Sequence, residues 1–293
     1  MPTYSQEKAV DVALPQRHAA PYASAAHGGS TARYSRHDML ARRSYQQRRR
    51  GHLRRRRRLG ILCALVIAAL LAAGILYAWL SVSQGQRPSS TTPEELVQLF
   101  DRNPEARQFV LDYDEHHDDQ PPIELSELAH AQTVPLLLQF DERWGYSMYA
   151  GQHFAVSGCG PSCLSMVYIY LTGDTSMSPL AMAQFASDRG YAVDCEGSLW
   201  TLISQGGSEL GLDVTEIPLD KERVKANLEA GNPIICIMGP GDFTRTGHFI
   251  ILAGWSDRGI VIRDPNSRER SDKLWSYDQL AGQIKDLWVL RKG

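Results

Sequence analysis

A thiol stands between two glycines and just ahead of a proline in the stretch Ser157-Gly158-Cys159-Gly160-Pro161-Ser162-Cys163. Cysteine attacks as the thiolate, which is favoured where backbone N–H groups and the positive end of a helix dipole meet the sulfur. Proline suits the first turn of a helix, where its missing N–H would have no partner anyway, so Pro161 predicts Cys159 at a helix mouth. The flanking glycines would let a substrate backbone come close. Cys163, Leu164, Val167, Tyr168 and Leu171 then recur at helical spacing and predict one buried face, which Gly173 closes. Cys163 belongs to that face. Cys159 is therefore the nucleophile candidate, against the ordinary alternative of a buried structural cysteine.

A nucleophilic thiol needs a base, a group that orients the base, and an oxyanion donor. His248 follows the loop 239–247, with glycines at 239, 241 and 247, and opens the strand-like run His248-Phe249-Ile250-Ile251-Leu252. The strand that should pair with it leads into Arg263-Asp264-Pro265-Asn266, so Asp264 or Asn266 holds the imidazole. If Trp255 pairs with Ile260, simple register sets His248 opposite Ser267, nearer Asn266, whereas one bulge brings Asp264 across. For the oxyanion, Gln139 ends a strand that leads towards the cysteine and would act with the Cys159 N–H; Gln152, closer in sequence, competes. Asp141, Arg143 and Trp144 read as packing or turn residues. Trp200, Trp255 and Trp275 read as core residues or the lining of a groove.

The elements that must position these groups are helical first and strand-rich later, an α+β arrangement with two sub-lobes. Pro135 to Phe140 reads as a strand, followed by an irregular hairpin through Gly145 and Gly151 and then the Cys159 helix. Ser178-Pro179 caps a second helix reaching Gly190, and 198–210 reads as a third, ended by Gly211. Strands are expected at 213–217, 233–238, 248–255, 260–263 and 287–290. Helices are expected at 220–230 and 277–285, and Ser256-Asp257-Arg258-Gly259 as a hairpin.

Charge divides the chain. Of its 31 Lys+Arg and 33 Asp+Glu, residues 1–58 hold 14 and 3, and the remainder 17 and 30. Residues 1–58 lack apolar periodicity and are expected to be a disordered basic tail in the cytoplasm. Residues 59–82 carry no charge and, at ~1.5 Å per residue, are long enough to cross about 30 Å of hydrocarbon. They are expected to be a single transmembrane helix rather than a cleaved signal peptide, since the apolar core and the leader before it are too long for one. Eight arginines between 48 and 58, against Arg87 alone just after the span, put the N-terminus in the cytoplasm and the C-terminal domain outside the cell. That adjacency also makes the arginine run a topology signal rather than a nucleic-acid patch.

Residues 83–130 are expected to form a helical stalk or lid, with one helix starting at Thr92-Pro93-Glu94-Glu95 and a second after Asn103-Pro104. His116, His117, Asp118 and Asp119 are consecutive rather than spaced along a helix face, which suits a solvated turn better than a metal site. Residues 131–293 complete the chain as one compact domain. The five cysteines, at 63, 159, 163, 195 and 236, show no C-x-x-C pair and no disulfide framework, although one bridge among Cys163, Cys195 and Cys236 is compatible with the sequence.

Four motifs in this order, Gln139-Phe140-Asp141-Glu142-Arg143-Trp144, Ser157-Gly158-Cys159-Gly160-Pro161, Gly247-His248-Phe249-Ile250-Ile251-Leu252 and Asp264-Pro265-Asn266-Ser267, resemble the papain-like cysteine peptidases related to bacteriocin-leader-processing peptidases, family C-thirty-nine. The resemblance covers about 134 to 293. It implies a papain-like fold with the cysteine on a helical lobe and the histidine on an antiparallel β lobe. It also implies peptide-bond hydrolysis without cofactor or metal, on a peptide or protein substrate. By motif, Cys159 is the nucleophile, His248 the base, Asp264 its orienter and Gln139 the oxyanion donor. The family's glutamine lies only a few residues before the cysteine, whereas here the stretch from Trp144 to Ser157 intervenes. No ATP-binding or multi-span transporter portion accompanies the motifs, so export-linked cleavage of double-glycine leaders is not implied. A cell-wall amide hydrolase and a surface-binding ectodomain without turnover are the other readings of the same scaffold.

Overall fold

The computed structural model describes residues 61, 65–76 and 87–293. The chain divides after Leu76 into two units. In the first, residues 65–76 are helical, with exposed apolar side chains that include Leu70, Leu71 and Ile75. Among the described residues no helix is long and apolar enough to cross a membrane. The tail 1–58 and the rest of the expected span 59–82 lie outside the described residues.

The second unit is built on one six-stranded antiparallel sheet. Its strands are β1 (Leu212–Glu216), β2 (Ile234–Met238), β3 (His248–Ser256), β4 (Gly259–Arg263), β5 (Leu274–Trp275) and β6 (Ile284–Lys292), in the spatial order β1-β6-β2-β3-β4-β5. β2 is buried along its whole length because both faces of the sheet are covered. Ile235, Ile237, Phe249, Ile251 and Leu290 pack on one side with the helix α3 (Cys159–Thr172). Ile234, Cys236, Ile250, Leu252 and Val289 pack on the other with Val224 and Leu228 of α5 (Lys221–Glu229). A strand covered twice reads as a continuous apolar run, which is what residues 233–238 are.

α3 is buried on more than the one stripe its spacing predicts: Met166, Ile169, Ser162 and Ser165 are interior as well. Gly173 ends it in the left-handed region at φ 75°, where glycine has no Cβ penalty. α4 (Pro179–Asp188) follows, with the Ser178 hydroxyl accepting from the Ala181 N–H at 3.2 Å. The helix expected over 198–210 is present over 201–209, with a π-helical middle at Leu202–Gly206 running into the helical turn Gly207–Glu209, while Ser198 belongs to the short strand Gly197–Ser198 ahead of it.

Residues 135–138, expected as a strand, belong to no strand, and Gln139 and Phe140 are in a turn. The Leu137 N–H meets the Met166 sulfur at 3.1 Å, and the Gln139 N–H donates to the Pro265 carbonyl at 2.7 Å. Two of the segment's donors thus go to α3 and to the loop after β4 rather than to the sheet. Ahead of it, α1 (Glu94–Arg102) and α2 (Arg107–Leu111) bury Leu96, Leu99, Phe109 and Val110 against Phe140, Tyr146 and Ala155. α1 is entered through Pro93 without a side-chain cap, so Thr92 does not cap it.

Candidate active site

Cys159 is the first residue of α3, with Gly158 before it. The chain reaches it from the ribbon of Met148–Tyr149 with Gln152–His153, whose two-residue turn has both Ala150 and Gly151 at positive φ, 50° and 72°. Ser157 ties this hairpin to the helix by donating its hydroxyl to the Tyr149 carbonyl at 2.8 Å. The glycines beside Cys159 are filled by the protein itself. A Cβ on Gly158 would lie 2.4 Å from the Phe154 ring, and one on Gly160 would lie 2.6 Å from the Ser198 hydroxyl. Both spaces expected to admit a substrate backbone are therefore occupied by side chains that fix where the thiol stands.

The Cys159 thiol is half-buried, and the imidazole of His248, the first residue of β3, is the group that most favours its ionisation. Burial opposes its ionisation, but His248 and the N–H groups of Phe249 and Gly160 outweigh burial and hold the thiol below its ordinary value. His248 is itself buried, and its Nε2 lies 2.7 Å from Asp264 Oδ1. Asp264 thereby fixes Nε2 as the ring's donor, and Nδ1 is the nitrogen left for the thiol. Burial again works against the charged ring. The Asp264 carboxylate and then Cys159 override it and push His248 up to about 10.

Asp264 has no exposed surface, yet every oxygen of its carboxylate is paired. Oδ1 accepts from His248 and from the Asn266 N–H at 2.8 Å; Oδ2 accepts from Arg270 Nε at 2.5 Å. These partners overcome burial and keep the carboxyl below its usual range. Between the two sequence candidates, the imidazole partner is Asp264. Trp255 does pair with Ile260, but a bulge between Leu252 and Gly254 shifts the register, and β4 ends at Arg263. Asp264 then turns across the sheet end, with the Ser267 N–H closing the turn on its carbonyl at 3.1 Å. Asn266 points to other work: its carbonyl and Oδ1 each accept from Asn103 Nδ2 at 2.9 Å.

Gln139 is buried, and its Nε2 donates to the Ala155 carbonyl at 2.7 Å, with a longer contact to the Val156 carbonyl at 3.4 Å. Its Oε1 is buried without a partner. The insertion from Trp144 to Ser157 folds back on itself, so that Gln139, distant in sequence, touches the residues three and four before Cys159. Gln152 sits in the ribbon opposite Tyr149.

Residues 131–293 match the family described as the Peptidase_C39 like family. The chain belongs to that family. The peptidase domain of Streptococcus ComA, a bi-functional ABC transporter involved in quorum sensing, is 19% identical, covering 47% of this chain and 93% of that one with a TM-score of 0.36. A protein described as a C39-like peptidase from Bacillus anthracis is 16% identical, covering 55% and 95% with a TM-score of 0.34. No curated protein matches the chain.

In this Peptidase_C39 like chain several residues around the site carried no signal in the sequence. Arg270 and Ser271 hold Asp264 from α6 (Arg268–Asp272), a helix not expected from the sequence, which the Ser267 hydroxyl caps by accepting from the Arg270 N–H. Asn103 and Glu105 reach the same loop from far upstream. Cys163, Cys195 and Cys236 are all free, so no bridge joins them; Cys163 and Cys236 are buried, which pushes both thiols up. His116 pairs with Asp119 and His117 with Asp118 at the surface, and among the described residues no group of side chains is arranged to hold a metal. Trp275 is buried, whereas Trp200 is exposed and stands edge-on to Trp288.

Proposed function

We propose that this chain is a membrane-anchored cysteine peptidase of the cell surface, hydrolysing peptide bonds through Cys159, His248 and Asp264. The observation that carries the reading is the buried His248–Asp264 pair together with a thiol on the first residue of a helix, which His248 holds below its ordinary value. The Cys159 thiolate attacks the scissile carbonyl, and the oxyanion that forms takes the Cys159 N–H and the Gln139 amide hydrogen now in the long contact with Val156. His248 hands its Nδ1 proton to the leaving amine as the C–N bond breaks, leaving a thioester. Water, deprotonated by His248, then attacks the thioester, releasing the new carboxylic acid and restoring the thiol. The anchor rests on the uncharged run 59–82 with arginines before it, which sets residues 83–293 outside the cell.

Labelling the full chain with a thiol-reactive peptidyl probe, followed by peptide mapping, tests the chemistry. Selective modification of Cys159 with cleavage of unfolded protein supports a peptidase, whereas muropeptide cleavage alone would make it a cell-wall amide hydrolase. Partner binding unchanged by Cys159→Ala, without labelling, would make it a binding ectodomain. Protease access to residues 83–293 on intact cells tests the orientation.

A further inference from the structure

We infer that Asn103 and Glu105, which lie outside the family-matched residues 131–293, are positioning residues for the site and hold the loop that presents Asp264 to His248. This rests on the peptidase reading above. After Arg263 the sheet no longer restrains the chain, and Asp264, Pro265 and Asn266 form a turn before α6. That turn is strapped from outside its own strand. The Gln139 N–H donates to the Pro265 carbonyl at 2.7 Å, and Asn103 Nδ2 donates to both the carbonyl and Oδ1 of Asn266 at 2.9 Å.

Glu105 caps the helix that follows. Its carboxylate accepts from the Ser267 hydroxyl, from the Arg268 N–H at 2.8 Å and from the Glu269 N–H at 3.3 Å. A carboxylate at otherwise unpaired first-turn N–H groups stabilises a helix that is too short to hold itself. α6 matters because Arg270 on it holds Asp264 Oδ2, and the Ser271 hydroxyl accepts from the Asp264 N–H at 2.9 Å. The clamp is itself firmly seated. Asn103 Oδ1 accepts from the Glu105 N–H at 3.0 Å, and Leu96, Leu99 and Ala106 around it are fully buried. The family-matched domain thus borrows the support for its orienting carboxylate from the segment before it.

The test compares the full chain with its Glu105→Gln, Glu105→Ala and Asn103→Ala variants, following Cys159 alkylation by iodoacetamide against pH. Displacing Asp264 frees His248 to drift from the thiol, so Asn103→Ala and Glu105→Ala are expected to slow alkylation about tenfold near pH 6. Glu105→Gln, which keeps one acceptor oxygen, recovers part of the rate and carries the test should Glu105→Ala not fold. Val224→Ala, on the opposite face of the sheet, lowers Tm without moving the profile. A wild-type profile in Glu105→Gln and Asn103→Ala overturns the inference. If the wild-type thiol itself behaves as an ordinary one, the peptidase reading has failed instead. The low-field N–H signal of His248 then decides: lost or shifted in Asn103→Ala it supports the clamp, unchanged it overturns it.

Discussion

His248 and Asp264 are 16 positions apart in sequence and 2.7 Å apart in space, joined across the end of a sheet whose last paired residue on that side is Arg263. The pair is almost wholly excluded from water, and Asp264 also neutralises Arg270. Removing one member of such a pair leaves a buried charge without compensation, which costs about 3–5 kcal/mol. Asp264→Ala is expected to lose stability on that scale in urea unfolding. A loss under about 1 kcal/mol would mean that the pair is not held as described.

Asp264 also sets an acid limb. Its carboxyl is depressed in the fold, so its contribution is present above the unfolded value of ~3.9 and is lost as pH falls through the lower, folded one. The unfolding free energy of the wild-type chain should therefore fall more steeply below about pH 4 than that of Asp264→Asn. Parallel acid limbs in the two proteins would contradict the assignment.

The thiol has a pH signature of its own. Because Cys159 is held below its ordinary value, a larger fraction is thiolate at any pH beneath the usual thiol range, and alkylation should persist there. Burial is the largest influence on Cys159 and works in the opposite direction. His248→Ala therefore leaves a half-buried thiol with its main stabiliser gone, and alkylation should move to the alkaline side. The same alkylation profile with and without His248 would show that the imidazole does not control the thiol.

Gly160 gives a packing prediction. A Cβ there meets the Ser198 hydroxyl at 2.6 Å and the Ser198 Cβ at 2.8 Å, so Gly160→Ala overpacks the helix mouth, typically at a cost of 1–3 kcal/mol. Ser198→Gly removes the obstruction. The double variant should regain part of the loss in Tm and in Cys159 labelling; simple additivity of the two losses would reject the contact as the cause.

Gln139 separates two roles. If it serves the oxyanion, Gln139→Ala should lower turnover about 10²–10³-fold, as for loss of one oxyanion donor, while Cys159 alkylation keeps its pH profile. Equal loss of both would make Gln139 a packing residue, consistent with its bond to the Ala155 carbonyl.

Local signals made much of this legible. The thiol at a helix mouth followed from glycine, proline and a 3.6-residue apolar period, and the strands expected from apolar runs at 233–238, 248–255 and 260–263, the last two joined by a hairpin, are found at Ile234–Met238, His248–Ser256 and Gly259–Arg263. The run 135–140 reads as a strand in the sequence but is none in the fold, because an apolar pattern says nothing about where N–H groups go. In the fold those of Leu137 and Gln139 go to Met166 and Pro265.

By itself the sequence named the candidate thiol and histidine and determined the α+β order, since each depends on residues within a turn or a strand of one another. It left open whether Asp264 or Asn266 faces the imidazole, because a single bulge changes the answer and a bulge is chosen by packing on the neighbouring strand. Only the tertiary structure decided that, and only it brought Glu105 to Arg268, 163 positions away, since no periodicity in a chain reports contacts at that distance.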